Sequence, residues 1–406
     1  MAGEQKLHIV MFPWLAFGHM IPFLELAKLI AQKGHLAYDD LQQPMTRFLQ
    51  TSDPDWILYD FAPYWLPPLA AKLGIPCAFF SIFTAAVMSF IMPTSDPLMD
   101  AQDDRKEPEH FTVPPNWVPF PSKLAYRYFE VMRIFDSVTP NDSGFPDICT
   151  QFEPEWFQLL EELHRKPVIP AGLIPPTAYD GEDDDKDDTW RAIKLWLDKQ
   201  GKGSVVYVAF GSEAKPSQEE LTELALGLEL SGLRFFWVLR KRRGSADTEL
   251  IELPDGFEER TRDRGVVCTS WAPQLKILNH DSVGGFFTHS GWSSVVEATQ
   301  FERALILLPF LADQGLNTRI LEEKKMGYAI PRNERDGSFT RDSVAESLRL
   351  VMVEEEGKIY RDKAKEMRGL FGDTDRQNRY LDNFLDYLQA HKRLHKAPEA
   401  NGIEKS

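Results

Sequence analysis

The sequence predicts an α/β protein of two doubly wound, Rossmann-like domains that face each other across a cleft. Three observations carry that expectation. Short continuous apolar runs, the pattern of parallel strands buried on both faces, recur in both halves of the chain. Each run is followed by a turn and then by residues at helical spacing, the alternation that builds parallel sheets. An acidic stretch marked by prolines separates the two series and is too charged to pack into a core.

In the first half, LHIVMFP (7–13) reads as a buried strand. A Gly-His turn follows, and PFLELAKLIAQKGH then reads as a helix, with Pro22 in its first turn and Gly34 at its exit. LAYDDLQQPMTRFLQ reads as a further helix, and DWILYDF (55–61) and CAFFSIF (77–83) as strands. Residues 171–190, with prolines at 175 and 176 and then GEDDDKDDT, read as the linker. The second half begins with a helix around Trp190–Lys199 and the strand SVVYVAF, which ends in Gly-Ser. Ser217 and Glu220 stand three apart, as a capping box requires, and open the helix QEELTELALGLEL. RFFWVLR (234–240), GVVCTSW (265–271), GGFFTH (284–289) and ALILLPF (304–310) complete the strands. The expected organisation is a first domain over 1–175, an acidic linker over 176–190 and a second domain over 191–373. A terminal helix over 374–396 packs back toward the first domain, and 397–406 form a frayed tail.

Bulk properties narrow the function. The chain has 406 residues, 43% hydrophobic, and a net charge of −16, which lacks the basic balance of a nucleic-acid binder. Cys77, Cys149 and Cys268 are far apart and form no Cys-x-x-Cys, so neither a disulfide framework nor a zinc site is supported. Met1–Leu7 is polar, and no run approaches the roughly 18 apolar residues of a membrane span. A cytoplasmic monomer is expected.

In open α/β sheets, ligands bind at the turns beyond the carboxyl ends of the strands. His19, Asp60, Gly211-Ser212, Trp271, the stretch HSGWSSVVEA (289–298) and Asp313-Gln314 all fall at such turns. HSGWSSVVEA has the ingredients of a serine hydrolase, but Val295 stands where Gly-x-Ser-x-Gly needs its second glycine. A second reading makes it a diphosphate site. Gly291 permits close backbone approach, His289 adds an imidazole, and Ser293 and Ser294 open a helix whose amides favour an anion. A third makes Ser294 and Glu297 a plain capping box. Ser212 is a phosphate ligand or part of a turn, and Trp271 a base-stacking platform or core. His19 and Asp60 are structural, or else a general base and the carboxylate that orients it. Phe61, Tyr64, Trp65 and Phe80 line an aromatic acceptor pocket or pack in the core.

Residues 271–314, WAPQLKILNHDSVGGFFTHSGWSSVVEATQFERALILLPFLADQ, span 44 positions and resemble the secondary-product box of plant family 1 UDP-sugar glycosyltransferases. FPWLAFGHMIPFLELAKLIAQKGH, PDWILYDFAPYW, FEPEW and KGSVVYVAFGSE extend the likeness over most of the chain, which is most similar to the branch-forming glycoside glycosyltransferases and rhamnosyltransferases. The resemblance implies a GT-B fold and a role for each position. Trp271 would stack on uracil while the Ala272 backbone reads its edge, and Gln274 and Glu297 would bind the ribose. His289, Ser294 and Ser212 would bind the diphosphate, with Gly291 and Ser293 beside them. Trp292, Asp313 and Gln314 would contact the sugar, and His19 would be the base, aligned by Asp60. Two departures stand out. Most of the family has Asn where this chain has Ser293, though Ser there fits the branch-forming subgroup. After His35, and again near Asp147, the chain skips segments that the family carries.

The expected activity is inverting, metal-independent transfer from UDP-glucose or UDP-rhamnose to a sugar hydroxyl of a flavonoid, saponin or diterpene glycoside. UDP-sugar is then a substrate, and no cofactor is needed. The alternative is a UDP-sugar-binding protein whose transferase activity is lost or compromised.

Overall fold

A computed structural model of the chain describes residues 6–12, 36–38, 45–60, 66–91, 103, 105–137, 153–176, 188–211, 214, 216–239 and 252–392. Two parallel sheets organise them. The first contains β1 (His8–Phe12), β2 (Leu36–Tyr38), β3 (Trp56–Tyr59) and β4 (Cys77–Phe79), in the order β2–β1–β3–β4. The second contains β5 (Val205–Ala209), β6 (Arg234–Val238), β7 (Gly265–Cys268), β8 (Val283–Thr288), β9 (Ala304–Leu307) and β10 (Gly327–Ala329). Their order, β10–β9–β8–β5–β6–β7, is the doubly wound arrangement in which the chain reverses direction across the sheet between β5 and β8.

Residues in the strands alternate between two apolar layers, as the pleat requires. Val206 and Val208 pack with Leu221, Leu224 and Leu228 of the helix Gln218–Ser231. Val205, Tyr207 and Ala209 face the other layer, where the Tyr207 and Phe286 rings stack at 5.1 Å. That second layer also takes in Phe90 and Leu160, from the helices Ala85–Ile91 and Pro154–His164. In the first sheet, Ile9, Met11, Trp56 and Leu58 pack with Leu381, Phe384, Leu385 and Leu388 of the terminal helix Thr374–Ala390. The Trp56 indole Nε1 donates to the Leu388 carbonyl at 2.9 Å, which fixes that helix to the sheet.

Two expectations need correction. Leu36–Tyr38, read as the start of a helix, pairs in parallel with His8–Val10 as the edge strand, and the helix begins only at Met45. A short apolar segment along the open edge of β1 satisfies that edge's backbone groups, and this outweighs local helical spacing. The linker is also shorter than 171–190. Ile169, Ala171 and Ile174 pack onto the layer of the terminal helix, and the Leu173 amide donates to Gln377 Oε1 at 2.8 Å. At the other end the next helix already starts at Asp188. The expected helix PFLELAKLIAQKGH, the segment GFPDIC and the stretch 177–187 lie outside the described residues.

The helix Tyr128–Ser137 joins the half that holds the first sheet to the half that holds the second. Buried Glu130 accepts from Arg319 Nη2 at 3.0 Å and from the Arg127 amide at 2.8 Å. Arg133 reaches Glu220 at 2.8 Å, and Phe129 lies under the Arg332 guanidinium, 4.7 Å from ring centroid to Cζ. Gly315 makes this docking possible, because a Cβ there would stand 2.6 Å from a Glu130 carboxylate oxygen.

Candidate active site

The turns after β5 and β8 flank the strand-order reversal, where a doubly wound sheet opens a crevice. His289 follows β8, and its ring lies between two glycines. A Cβ at Gly211 would stand 2.8 Å from His289 Nε2, and one at Gly291 would stand 2.5 Å away. Gly211 also has φ +75°, which favours glycine by itself. Burial pushes the His289 imidazole down to about 4, so at neutral pH it is uncharged, with one N–H to donate. Buried Ser290 adopts φ +69°, a strained backbone for a residue with a Cβ.

The helix Trp292–Thr299 starts at Gly291 with no side chain accepting from its first amides. Ser294 and Glu297 therefore do not form a capping box. Gln274 instead gathers both, since its Nε2 donates to Glu297 Oε2 at 2.8 Å and to Ser294 Oγ at 3.2 Å. The Tyr207 hydroxyl donates to Gln274 Oε1 at 3.3 Å and settles which way the amide faces. Burial raises the Glu297 carboxyl to about 7, against the opposing effect of the Gln274 hydrogen bond. Ser293 is in the first turn of this helix and is partly exposed. The Trp292 indole packs in the core, 6.2 Å from the Phe371 ring.

Trp271 follows β7 and is 64% exposed, which removes the core reading and leaves a flat aromatic face open to a ligand. Ala272 beside it is buried. Asp313 and Gln314 begin the helix Gln314–Glu323. Gln314 Oε1 accepts from the Phe310 and Leu311 amides at 2.9 and 3.0 Å, so among the described residues its Nε2 is the polar atom still without a partner. Asp313 Oδ2 accepts from Asn317 Nδ2 at 2.6 Å.

In the first half, Asp60 follows β3 and is 1% exposed. Its amide donates to the Phe12 carbonyl at 3.1 Å, which places it beside the chain leaving β1. His19 is on the segment that follows, and His19, Phe61, Tyr64, Trp65 and Ser212 lie outside the described residues. Phe80 is 8% exposed and belongs to the apolar layer of Trp56, Leu58 and the terminal helix. Sequence reasoning missed Tyr126, whose buried hydroxyl is pushed well above its usual range by burial and then by the charges of Asp313 and Glu130. It also missed Asn317, although the i, i+4 spacing from Asp313 was a signal for that pairing.

The family model described as "UDP-glucoronosyl and UDP-glucosyl transferase" matches residues 164–385. UDP-glycosyltransferase 91A1 of Arabidopsis thaliana is 47% identical over 461 positions, covering 94% of this chain and 97% of the relative. The chain is a plant UDP-glycosyltransferase. Members of the family move a sugar from a UDP-sugar to an acceptor, and this enzyme is a glycosyltransferase of that kind. Soyasaponin III rhamnosyltransferase of Glycine max is 37% identical, covering 96% of this chain and 97% of the relative. The solved structure of Os79 from O. sativa, in complex with U2F and trichothecene, superposes with a TM-score of 0.71 at 20% identity, over 94% of this chain and 100% of that one. That likeness concerns the fold, which is GT-B. The 461 positions aligned with the Arabidopsis relative exceed the 406 residues of the whole chain by 55, so at least that many have no counterpart here.

Proposed function

We propose that this glycosyltransferase catalyses inverting, metal-independent transfer from UDP-glucose or UDP-rhamnose to a sugar hydroxyl of a flavonoid, saponin or diterpene glycoside. The observation that carries the reading is the uncapped helix start at Gly291–Ser294, beside a neutral His289 at the strand-order reversal. Amides and a neutral imidazole stabilise charge building on a leaving diphosphate without a metal ion. Trp271 would stack on uracil with Ala272 reading its edge, and Gln274 and Glu297 would take the ribose hydroxyls. Ser212, Ser293 and Ser294 would add diphosphate contacts. Asp313, Gln314 and the Trp292 backbone would hold the sugar.

The donor then belongs to a domain over 191–373 and the acceptor to one over 1–175, in a cytoplasmic monomer. Among the described residues no helix is long and apolar enough to cross a membrane. An acceptor hydroxyl is too weak an acid to ionise unaided, so His19, oriented by Asp60, would remove its proton as the oxygen attacks the anomeric carbon and UDP departs. A positioned base of this type contributes typically about 10²–10⁴-fold.

The test is UDP release from UDP-glucose and UDP-rhamnose against a panel of flavonoid and terpenoid glycosides, with the product anomer read by NMR. His19→Ala should abolish transfer and leave UDP affinity nearly unchanged. Retained turnover in that variant would remove His19 as the base, and a retained anomeric configuration would remove the inverting mechanism. A second reading, a UDP-sugar binder without transfer, is favoured by the shortfall against longer relatives. It predicts UDP binding with no acceptor-dependent UDP release from any member of the panel.

A further inference from the structure

The described site leaves one polar side chain of the second half unexplained. Asn317 is fully buried in the second turn of the helix Gln314–Glu323. Its Nδ2 donates to two acceptors at once, the Ser290 carbonyl at 3.1 Å and Asp313 Oδ2 at 2.6 Å. Both partners need a donor, so the amide orientation is set, and Oδ1 is left buried without a hydrogen-bond partner. A group whose other half goes unsatisfied lowers stability at that atom, which a leucine of similar shape would avoid.

The two acceptors belong to different ends of the proposed donor site. Ser290, between His289 and Gly291, adopts φ +69°, and such backbone persists only where its surroundings hold it. Thr318, the next residue along the helix, makes a hydroxyl–hydroxyl bond to Ser290 at 2.8 Å and completes that grip. Asp313 stands where the donor sugar would meet the enzyme. We infer that Asn317 is a positioning residue that locks the diphosphate turn at His289–Gly291 to the sugar-contacting carboxylate of Asp313, so that leaving group and sugar are held in one geometry.

The coupling has a chemical purpose. Transfer breaks the bond between the anomeric carbon and the diphosphate oxygen, and a carboxylate that holds the sugar helps only if it is fixed relative to the donors on that oxygen. Asn317 touches neither group of the substrate and acts through Ser290 and Asp313. Its loss should therefore lower turnover far more than nucleotide affinity, because Trp271, Gln274 and Glu297 bind the nucleoside without its help. The inference rests on the function proposed above.

The experiment is a double-mutant cycle on the full-length enzyme with Asn317→Ala, Asp313→Ala and the pair. It reads kcat and KM for the UDP-sugar and the Kd of UDP by calorimetry. Asn317→Ala should reduce kcat at least about 30-fold and change the UDP Kd less than about threefold. The double variant should be no slower than Asp313→Ala within about threefold, since both changes break the same connection. Three results would overturn the inference: kcat within threefold of the parent, losses that multiply in the double variant, or UDP affinity that falls in the same ratio as kcat. Asn317→Ser keeps a polar group too short to span both acceptors and gives the same readout if the alanine variant fails to fold. If Asp313→Ala itself leaves turnover intact, the assignment of the sugar site fails, an outcome distinct from failure at Asn317.

Discussion

Glu297 has a carboxyl raised to about 7 by burial, well above the ordinary 4.5. In the empty protein the folded state therefore holds a proton that the unfolded chain releases between about pH 4.5 and 7. Across that window this group lowers stability as pH rises, and above it the effect is constant. Ribose hydroxyls donating to the carboxylate would favour its charged form, so UDP binding should expel the proton. UDP affinity is expected to climb from about pH 5 to about pH 7 and then level off. Calorimetry at pH 6.5 in buffers of different ionisation enthalpy should detect the released proton, and Glu297→Gln should lose both effects. His289, pushed down to about 4, adds no slope to UDP affinity over that range, but its contribution to stability rises with pH between about 4 and 6.5, where only the unfolded imidazole holds a proton. His289→Ala should cost about 10²-fold in kcat/KM for the UDP-sugar, the size typical of one lost donor to developing charge. The sequence named Glu297 and Gln274 together, yet it left the capping box open, because i, i+3 spacing is shared by caps and ligands. Only the hydrogen bonds from Gln274, 20 and 23 residues distant, separate the two.

At the scale of elements, the turns after β5 and β8 need glycine for the sake of the ring between them. Gly291→Ala places a Cβ 2.5 Å from His289 Nε2. It should weaken UDP-sugar binding about tenfold through displacement of the imidazole, with a change in melting temperature of only a few degrees, read by parallel kinetics and thermal melts. The opposite pattern is expected at the helix Gln218–Ser231, which the Ser217–Glu220 capping box opens. There Ser217→Ala should lower stability by about 1 kcal/mol and leave kcat/KM unchanged. Eight strands were legible as apolar runs because burial on both faces removes polar residues from them. LAY was not, since three residues show no period and its pairing with His8–Val10 is a tertiary fact. Neither was GYA (327–329), another three-residue edge strand. The surroundings of Phe80 were out of reach for a related reason: no local pattern shows that a helix some 300 residues further along the chain shares its apolar layer.

At the scale of the molecule, two strand–helix halves could be read from the sequence, but the contacts joining the halves could not. Glu130 and Arg319 are 189 residues apart, both nearly buried, and neither lies in a motif. Glu130→Ala takes away the buried partner of Arg319, which keeps Glu322 at 2.7 Å, and the acceptor of the Arg127 amide, so it should lower stability by about 1–3 kcal/mol in a denaturant titration. Gly315→Ala, which drives a Cβ into the Glu130 carboxylate, should destabilise by about 1–3 kcal/mol in the parent and by clearly less when Glu130 is already alanine. The missing Cβ atoms of Gly315 and Gly337 have a wider consequence, because Glu130 and Phe129 from the other half fill the space they leave. Chimeras that join the first half of this enzyme to the second half of a relative should therefore inherit a mismatched joint unless the residues opposite those two glycines are transplanted with them. The unit that such an exchange must carry is therefore larger than either sheet, because it includes Phe129 and Glu130.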